Sequence, residues 1–158
     1  MADLTPLDEK LAEVLGLAKA AEGATEYVSK MDGADQFDAD LKKMRDDAKE
    51  TARRTDDLIG KLDGKKTAIR EMAQETKTEA DEMRKTYLAD EEEALDGFEF
   101  LTMAEAGELG HWEIVHTMGT TIGADEVTEL AEWAVDVQQG HFDGVRAASL
   151  VLAADEVQ

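Results

Sequence analysis

The chain has 158 residues and carries 38 Asp and Glu against 17 Lys and Arg, which gives a formal charge of −21. It contains no Cys, and this excludes disulfides, thiolate metal sites, iron–sulfur clusters and Cys nucleophiles. The apolar share of 42% is enough for a hydrophobic core, so we expect one folded domain over residues 1–158 rather than disorder.

Apolar residues recur at intervals of three and four along most of the chain, a pattern that predicts helices and no strands. The first helix is predicted over residues 7–31, where Thr5-Pro6 supplies an N-cap followed by a first-turn proline. The second is predicted over residues 34–62 and the third over residues 66–87. The third has a narrow apolar stripe and is otherwise charged, which is typical of an exposed helix.

The second half of the chain predicts two further helices. Residues 88–95 are acidic and are expected to form a connection, followed by a fourth helix over residues 97–118. Asp125 is expected to cap a fifth helix over residues 125–154. The break between them is assigned to Gly119, Thr120, Thr121 and Gly123. Four of the helices are long enough, roughly 30–45 Å, for an up-down bundle, with the third helix as a crossover connection. The expected fold is all-α.

Glu108 and His111 are the first candidate site residues. With about 100° of rotation per residue, Glu108 lies in the middle of the apolar stripe of its helix and His111 lies one turn further on. A carboxylate on a core face is costly to bury unless it is paired, protonated or bound to metal. A Glu-x-x-His pair on such a face is typical of carboxylate-bridged dinuclear metal sites. The alternative is that the two side chains pair with each other or with basic residues of another helix.

The remaining candidates lie on three other helices. His141 is nearly central on the apolar stripe of the fifth helix, where it serves either as a metal ligand or as a hydrogen-bonded core histidine. Gln138 stands three residues before it, in place of a stronger carboxylate ligand. Glu22 lies on the shoulder of the first stripe, and Asp40 flanks the second.

One stretch of the chain resembles a known family. Residues 103–114 read Met-Ala-Glu-Ala-Gly-Glu-Leu-Gly-His-Trp-Glu-Ile. They resemble the penultimate helix of the ferritin-like superfamily, in its YciF-type branch of small stress-associated bundles, where an Ala-rich start precedes Glu-His-Tyr-Glu-Ile. Gly110 stands where that pattern has its first Glu. Ala21-Glu22 resembles an Ala-Glu pair on the first helix of the family. Phe37-x-x-Asp40-Leu41 resembles Phe-x-x-His-Leu on the second, and Lys43 stands where the family has a Glu.

The resemblance implies a ferritin-like four-helix bundle with an additional crossover helix, assembled as a homodimer. It also implies a dinuclear site for iron or manganese, with an oxidase or peroxide-related role in stress. The residues expected to hold the metal are Glu22, Asp40, Glu108, His111 and His141. The alternative is a ferritin-like scaffold with a degraded site that acts as a structural or protein-interaction module, which Lys43 and Gln138 favour.

Charge and hydropathy restrict the other partners. A body at −21 repels nucleic acid and anionic lipid, and no basic tail offsets this charge, so we expect no nucleic-acid partner. The chain has no apolar run of about 18 residues, and its first residues lack the basic and apolar regions of a secretion signal. We therefore expect a cytoplasmic protein with no membrane partner.

Overall fold

The computed structural model describes residues 3–158, which form five α-helices and one short 3₁₀ turn. The helices are α1 (Pro6–Ser29), α2 (Asp38–Gly60), α3 (Lys66–Tyr87), α4 (Ala94–Ile122) and α5 (Asp125–Glu156), and the 3₁₀ turn, Asp35–Phe37, precedes α2. Within residues 3–158 there is no β-strand, only one isolated bridge between Asp32 and Glu93. The prediction of an all-α fold is confirmed.

The start of α1 is fixed by a reciprocal cap. The Thr5 hydroxyl accepts a hydrogen bond from the Asp8 backbone N–H at 3.1 Å, and the Asp8 carboxylate accepts one from the Thr5 N–H at 2.8 Å. This capping box satisfies donors that a helix N-terminus otherwise leaves free. Lys65, just before α3, also donates to Asp8 at 2.9 Å. The predicted cap at Thr5 is therefore present, and the hydrogen bond from Lys65 to Asp8 links the start of α1 to the start of α3.

The fourth helix differs from its prediction at both ends. It begins at Ala94 rather than near Gly97, and the Ala94 N–H donates to the Asp32 carbonyl at 2.8 Å. The prediction that Gly119 ends the helix is wrong, because the helix continues to Ile122. Gly119 instead allows close packing, since a Cβ there would lie 2.9 Å from the hydroxyl of Thr128.

The true stop of α4 is Gly123, whose φ of +72° is the left-handed conformation that favours glycine. Asp125 is the first residue of α5 and not its cap. The cap position belongs to Ala124, which makes no side-chain capping hydrogen bond.

Four helices form the bundle, and α3 lies on its outside. α1 packs against both α2 and α4, while α5 packs closely on α4 and more sparsely on α2. α1 and α4 are antiparallel, because Gly97 near the start of α4 contacts Val28 near the end of α1, and His111 lies beside Glu13. α3 packs mainly on α1, where Gly16 lets the two backbones approach. None of the helices within residues 3–158 is long and apolar enough to span a membrane.

The core consists of two apolar clusters with a polar layer between them. One cluster centres on Leu11, Leu15, Ile59, Ile69, Trp112 and Ala131. The other centres on Val28, Leu41, Met44, Phe98, Leu101 and Val145. The buried polar side chains of α4 and α5 fall between these sets along the chain: Glu105, Glu108, Gln138 and His141. The buried polar side chains of α4 and α5 are therefore concentrated in the middle of the bundle.

Candidate carboxylate–histidine centre

His141 of α5 lies between two carboxylates from two different helices. Its Nε2 is 2.8 Å from Asp47 Oδ2 on α2, and its Nδ1 is 3.6 Å from Glu105 Oε2 on α4. Asp47 also accepts a hydrogen bond from Lys43 at 2.6 Å, one helical turn earlier on α2. The exposed fractions of the Glu105 and His141 side chains are 2% and 7%. The centre thus joins α2, α4 and α5 in the interior.

The local sequence explains why these side chains reach the interior. Leu41, Met44 and Ala48 are the buried stripe of α2, and Asp47 lies at the edge of that stripe, partly exposed. On α5, Ala134, Gln138, His141 and Val145 are all buried and follow one another at intervals of three and four. This spacing keeps Gln138 and His141 on one helix face. The two polar residues therefore occupy core positions, one turn apart.

The two carboxylates favour a protonated His141. Burial alone would lower the pKa of His141, but the two neighbouring carboxylates, Glu105 and Asp47, outweigh burial and raise it above 6.5. Burial would likewise raise the pKa of Asp47, yet the hydrogen bonds from Lys43 and His141 lower it below 3.8. His141 and Asp47 therefore form a charge-assisted hydrogen bond.

Glu108, one turn after Glu105, is buried without a partner. Within residues 3–158 it makes no hydrogen bond and no ion pair, and it is 6% exposed. Burial raises the pKa of Glu108 well above its ordinary value, and the neighbouring Glu105 carboxylate adds to this rise. The environment therefore favours the protonated form of Glu108.

Two buried oxygens of the centre also lack hydrogen bonds. They are Glu105 Oε2 and Gln138 Oε1. Both atoms are acceptors, so only a donor or a cation can satisfy them. Buried polar atoms are rarely left unpaired in folded proteins, because each loses its interaction with water. These two oxygens are therefore buried acceptors that the side chains of the centre do not satisfy.

The polar centre lies between two cavities. A cavity of about 510 Å³, the α2–α5 cavity, is lined by His141 together with apolar residues such as Met44, Phe98 and Trp133. A second cavity of about 290 Å³, the α1–α3–α4 groove, is lined by Glu105 and Glu108 together with alanines of α1. The polar layer is thus accessible from both sides of the bundle.

The five predicted metal ligands do not form one cluster. Glu108 and His111 line the α1–α3–α4 groove, whereas Asp40 and His141 line the α2–α5 cavity. Asp40 is exposed, and Glu22 is only partly buried on α1. Within residues 3–158, no group of three or more Asp, Glu or His side chains is arranged to hold a metal ion.

His111 has partners that explain its position without a metal. Its Nδ1 is 2.8 Å from the Gly107 carbonyl oxygen, and its Nε2 is 3.2 Å from Glu13 of α1. Glu22 has a different environment, in which burial raises its pKa more than Lys49, Lys19 and Lys77 lower it. These two residues therefore lie on separate sides of α1.

Sequence reasoning missed Glu105 and Asp47 as site residues. Glu105 lies on the shoulder of the α4 stripe, and Asp47 flanks the stripe of α2, so neither stands out on a helical wheel. The available indication was the Glu105-x-x-Glu108 spacing, which places two carboxyl groups one turn apart opposite Gln138-x-x-His141.

The fold and the site define an all-helical bundle with a buried carboxylate–histidine centre. Comparison with protein families, with curated proteins and with solved structures finds no match to this chain.

Proposed function

We propose that this protein binds one divalent metal ion, iron or manganese, in the middle of its bundle, held by Glu105, Gln138 and His141. The observation that carries the proposal is that two buried oxygens of the polar layer are unsatisfied: Glu105 Oε2, which is 3.6 Å from His141 Nδ1, and Gln138 Oε1, which belongs to the residue one turn before His141 on α5. A cation bound between them would satisfy both acceptors. Oxygen and imidazole ligands suit iron and manganese.

Asp47 supports this assignment as a positioning residue. It accepts a hydrogen bond from His141 Nε2, and such a carboxylate fixes the ring of a metal-binding histidine and leaves the other nitrogen for the metal. Asp47 and Glu105 lie on opposite ring nitrogens, so one ion cannot bind His141 together with both carboxylates. Because Asp47 is occupied by the hydrogen bond from Nε2, we propose one ion on the Nδ1 side rather than the dinuclear site that the resemblance implies.

A bound iron ion would supply redox chemistry toward oxygen or peroxide, as in the stress role expected from the resemblance. The proposal includes a ferritin-like relationship, supported by α1, α2, α4 and α5 as the bundle and α3 as the outer crossover. It also includes a cytoplasmic homodimer, which rests on the resemblance and on the composition.

The test is metal content and metal titration of the full chain. Protein purified without chelator is analysed for iron and manganese, and then titrated anaerobically with Fe(II) or Co(II) while absorbance is recorded. We expect one ion per chain in the wild type and its loss in Glu105→Gln. The acidic surface also attracts cations, so Glu99→Gln, an exposed acid on the same helix, is the matched control and should keep the ion.

The second candidate is a structural or protein-interaction bundle without a metal. The observation in its favour is that a protonated His141 together with Lys43 balances the charges of Asp47 and Glu105 without an added ion. In that case no ion binds at millimolar concentrations. Replacing Glu105 and His141 together by Leu then preserves or raises stability, as is often found for buried ion pairs. Saturable binding of one ion that Glu105→Gln abolishes would exclude this candidate.

A further inference from the structure

The α1–α3–α4 groove has an apolar floor and open walls. Ala20, Ala21 and Ala24 of α1 form part of its floor, and Phe100 and Leu101 of α4 line one side. Met83 and Met103, on the opposite walls, are 69% and 53% exposed. The groove therefore presents apolar surface that no part of the described chain covers.

Glu108 is a buried carboxyl group of this groove without a partner, and two further atoms of groove residues, Glu105 Oε2 and Arg84 Nε, also lack a hydrogen bond. Its side chain is more than nine-tenths buried and, within residues 3–158, forms neither a hydrogen bond nor an ion pair. His111, which also lines the groove, is occupied by Gly107 and Glu13. Asp81 on the opposite wall is paired with Lys77. Glu108 is thus a carboxyl group that a ligand in the groove can contact.

The groove has its basic group at the other end. The Arg84 guanidinium lies over the Tyr27 ring, 5.3 Å from its centroid, and near Gly23 in the second half of α1. Glu108 precedes His111 by one turn on α4, and His111 contacts Glu13 in the first half of α1. Because the two charged groups are separated along the groove, a cation at Glu108 does not have to lie against Arg84.

We propose that the α1–α3–α4 groove binds a small lipophilic amine, with its apolar body on the alanine floor and its ammonium group against Glu108. An ammonium supplies the donors and the positive charge that the buried carboxyl lacks. The volume of about 290 Å³ fits an apolar body of about a dozen heavy atoms. A protein with a net charge of −21 also concentrates cations near its surface and disfavours anions of the same shape. This proposal does not depend on the metal site.

The experiment uses three compounds of the same shape and different charge. 1-Adamantylammonium, 1-adamantanol and adamantane-1-carboxylate are titrated into the full chain by calorimetry at physiological salt. We expect the amine to bind with one site per chain, the alcohol more weakly and the carboxylate weakest. Glu108→Gln keeps the shape of the side chain and should weaken the amine about tenfold or more, with little change for the alcohol.

Two further variants control for surface attraction and for folding. Glu113→Gln removes an exposed acid from the same helix and should change the amine affinity less than about twofold. Ala104→Phe fills the groove and should block all three compounds, while thermal unfolding verifies that each variant is folded.

Four outcomes would overturn the proposal. They are tighter binding of the carboxylate, equal binding of all three compounds, an amine preference that survives Glu108→Gln, and no binding of the amine at millimolar concentration. Failure to find a bound metal would not overturn this proposal, because the amine test depends on Glu108 and not on His141 or Gln138.

Discussion

His141 Nε2 and Asp47 Oδ2 lie 2.8 Å apart, across the pair of bundle helices that otherwise packs most sparsely. The α2–α5 cavity lies between α5 and the first turns of α2, where it is lined by Asp40, Lys43 and Met44. A charge-assisted hydrogen bond at this position holds the two helices together where apolar packing is thin. The same bond fixes the orientation of the imidazole ring toward Glu105.

The pKa of His141 predicts a pH-dependent stability. Its pKa in the folded state is raised above 6.5, so the folded state binds its proton more tightly than the unfolded state. This contribution is fully present below pH 6.5 and is lost as the pH rises through the higher folded pKa. The groups that face His141 are Glu105 and Asp47, and Lys43 acts through Asp47.

The measurement is urea denaturation from about pH 5 to about pH 9, together with NMR titration of the three histidines. His141→Gln should remove the part of the stability loss that lies above pH 6.5. His116→Gln, at a histidine 3.4 Å from an exposed Glu132, is the matched control and should leave the profile unchanged. A His141 resonance that titrates below pH 6.5 would contradict this prediction.

Glu108→Gln is expected to stabilise the protein near neutral pH. The folded pKa of Glu108 lies well above 4.5, so above pH 4.5 the unfolded state gains from ionisation while the folded state holds the proton. Stability therefore falls as the pH rises from 4.5 toward the folded pKa. Removing this titration should raise the free energy of unfolding at pH 7 by about 1–2 kcal/mol.

The control for this variant is Glu113→Gln on the exposed side of α4, for which we expect a change within about 0.5 kcal/mol. The gain of Glu108→Gln should vanish in denaturation measurements below pH 4.5. A stabilisation that is equal at acidic and neutral pH would show that burial of the carboxyl is not its cause.

Asp8 is expected to anchor the starts of α1 and α3 at neutral pH. Burial would raise the pKa of Asp8, but the hydrogen bonds from Thr5 and Lys65 lower it below 3.8. A carboxylate with a lowered pKa stabilises the fold above pH 3.8, and this contribution is lost as the pH falls through the folded pKa. Asp8→Ala should cost about 1–3 kcal/mol at pH 7.

Glu9→Ala is the matched control, because Glu9 is the exposed neighbour of Asp8 in the same first turn. Chemical denaturation at pH 7 should show a clearly smaller loss for Glu9→Ala. Equal losses would mean that the helix dipole, rather than the capping box and Lys65, accounts for the effect.

Gly16→Ala is expected to destabilise the packing of α3 on α1. A Cβ at this position would overlap the Ala73 carbonyl oxygen and lie 2.7 Å from Thr76 Cβ, so the two helices would have to move apart. The cost should be about 1–3 kcal/mol. Gly110→Ala provides the opposite case, because a Cβ there meets nothing within 4 Å. It should stabilise by about 0.5–1 kcal/mol through helix propensity, as measured by thermal unfolding.

The sequence predicted the helices well because each has a local cause. Thr5 and Pro6 define the start of α1, and the apolar periodicity identifies all five helices. The predicted end of α4 was wrong because Gly119 was interpreted as a helix breaker. Its actual role is contact with Thr128 of the next helix, and such a tertiary contact leaves no local pattern.

The site was harder to predict, because its side chains belong to different helices. A helical wheel assumes one buried stripe, and it correctly placed Glu108 in the interior. α4, however, packs on both α1 and α5, so Glu105 on the shoulder of the stripe is more buried than Glu108. The wheel also pointed His111 inward, whereas the structure pairs it with Glu13 of α1. The contact between Asp47 and His141 depends on the relative rotation of two helices, which no single segment specifies.

The position of α3 outside the bundle has a consequence for local opening. Its buried residues, Ile69 and Ala73, lie in its first half, and Leu88 anchors the chain just after its end. The stretch between these anchors contains no buried residue. Amide hydrogens over residues 77–86 should therefore exchange with solvent at a lower free-energy cost than those of α4. Such local opening of α3 would widen the α1–α3–α4 groove around Glu108 while the rest of the protein stays folded.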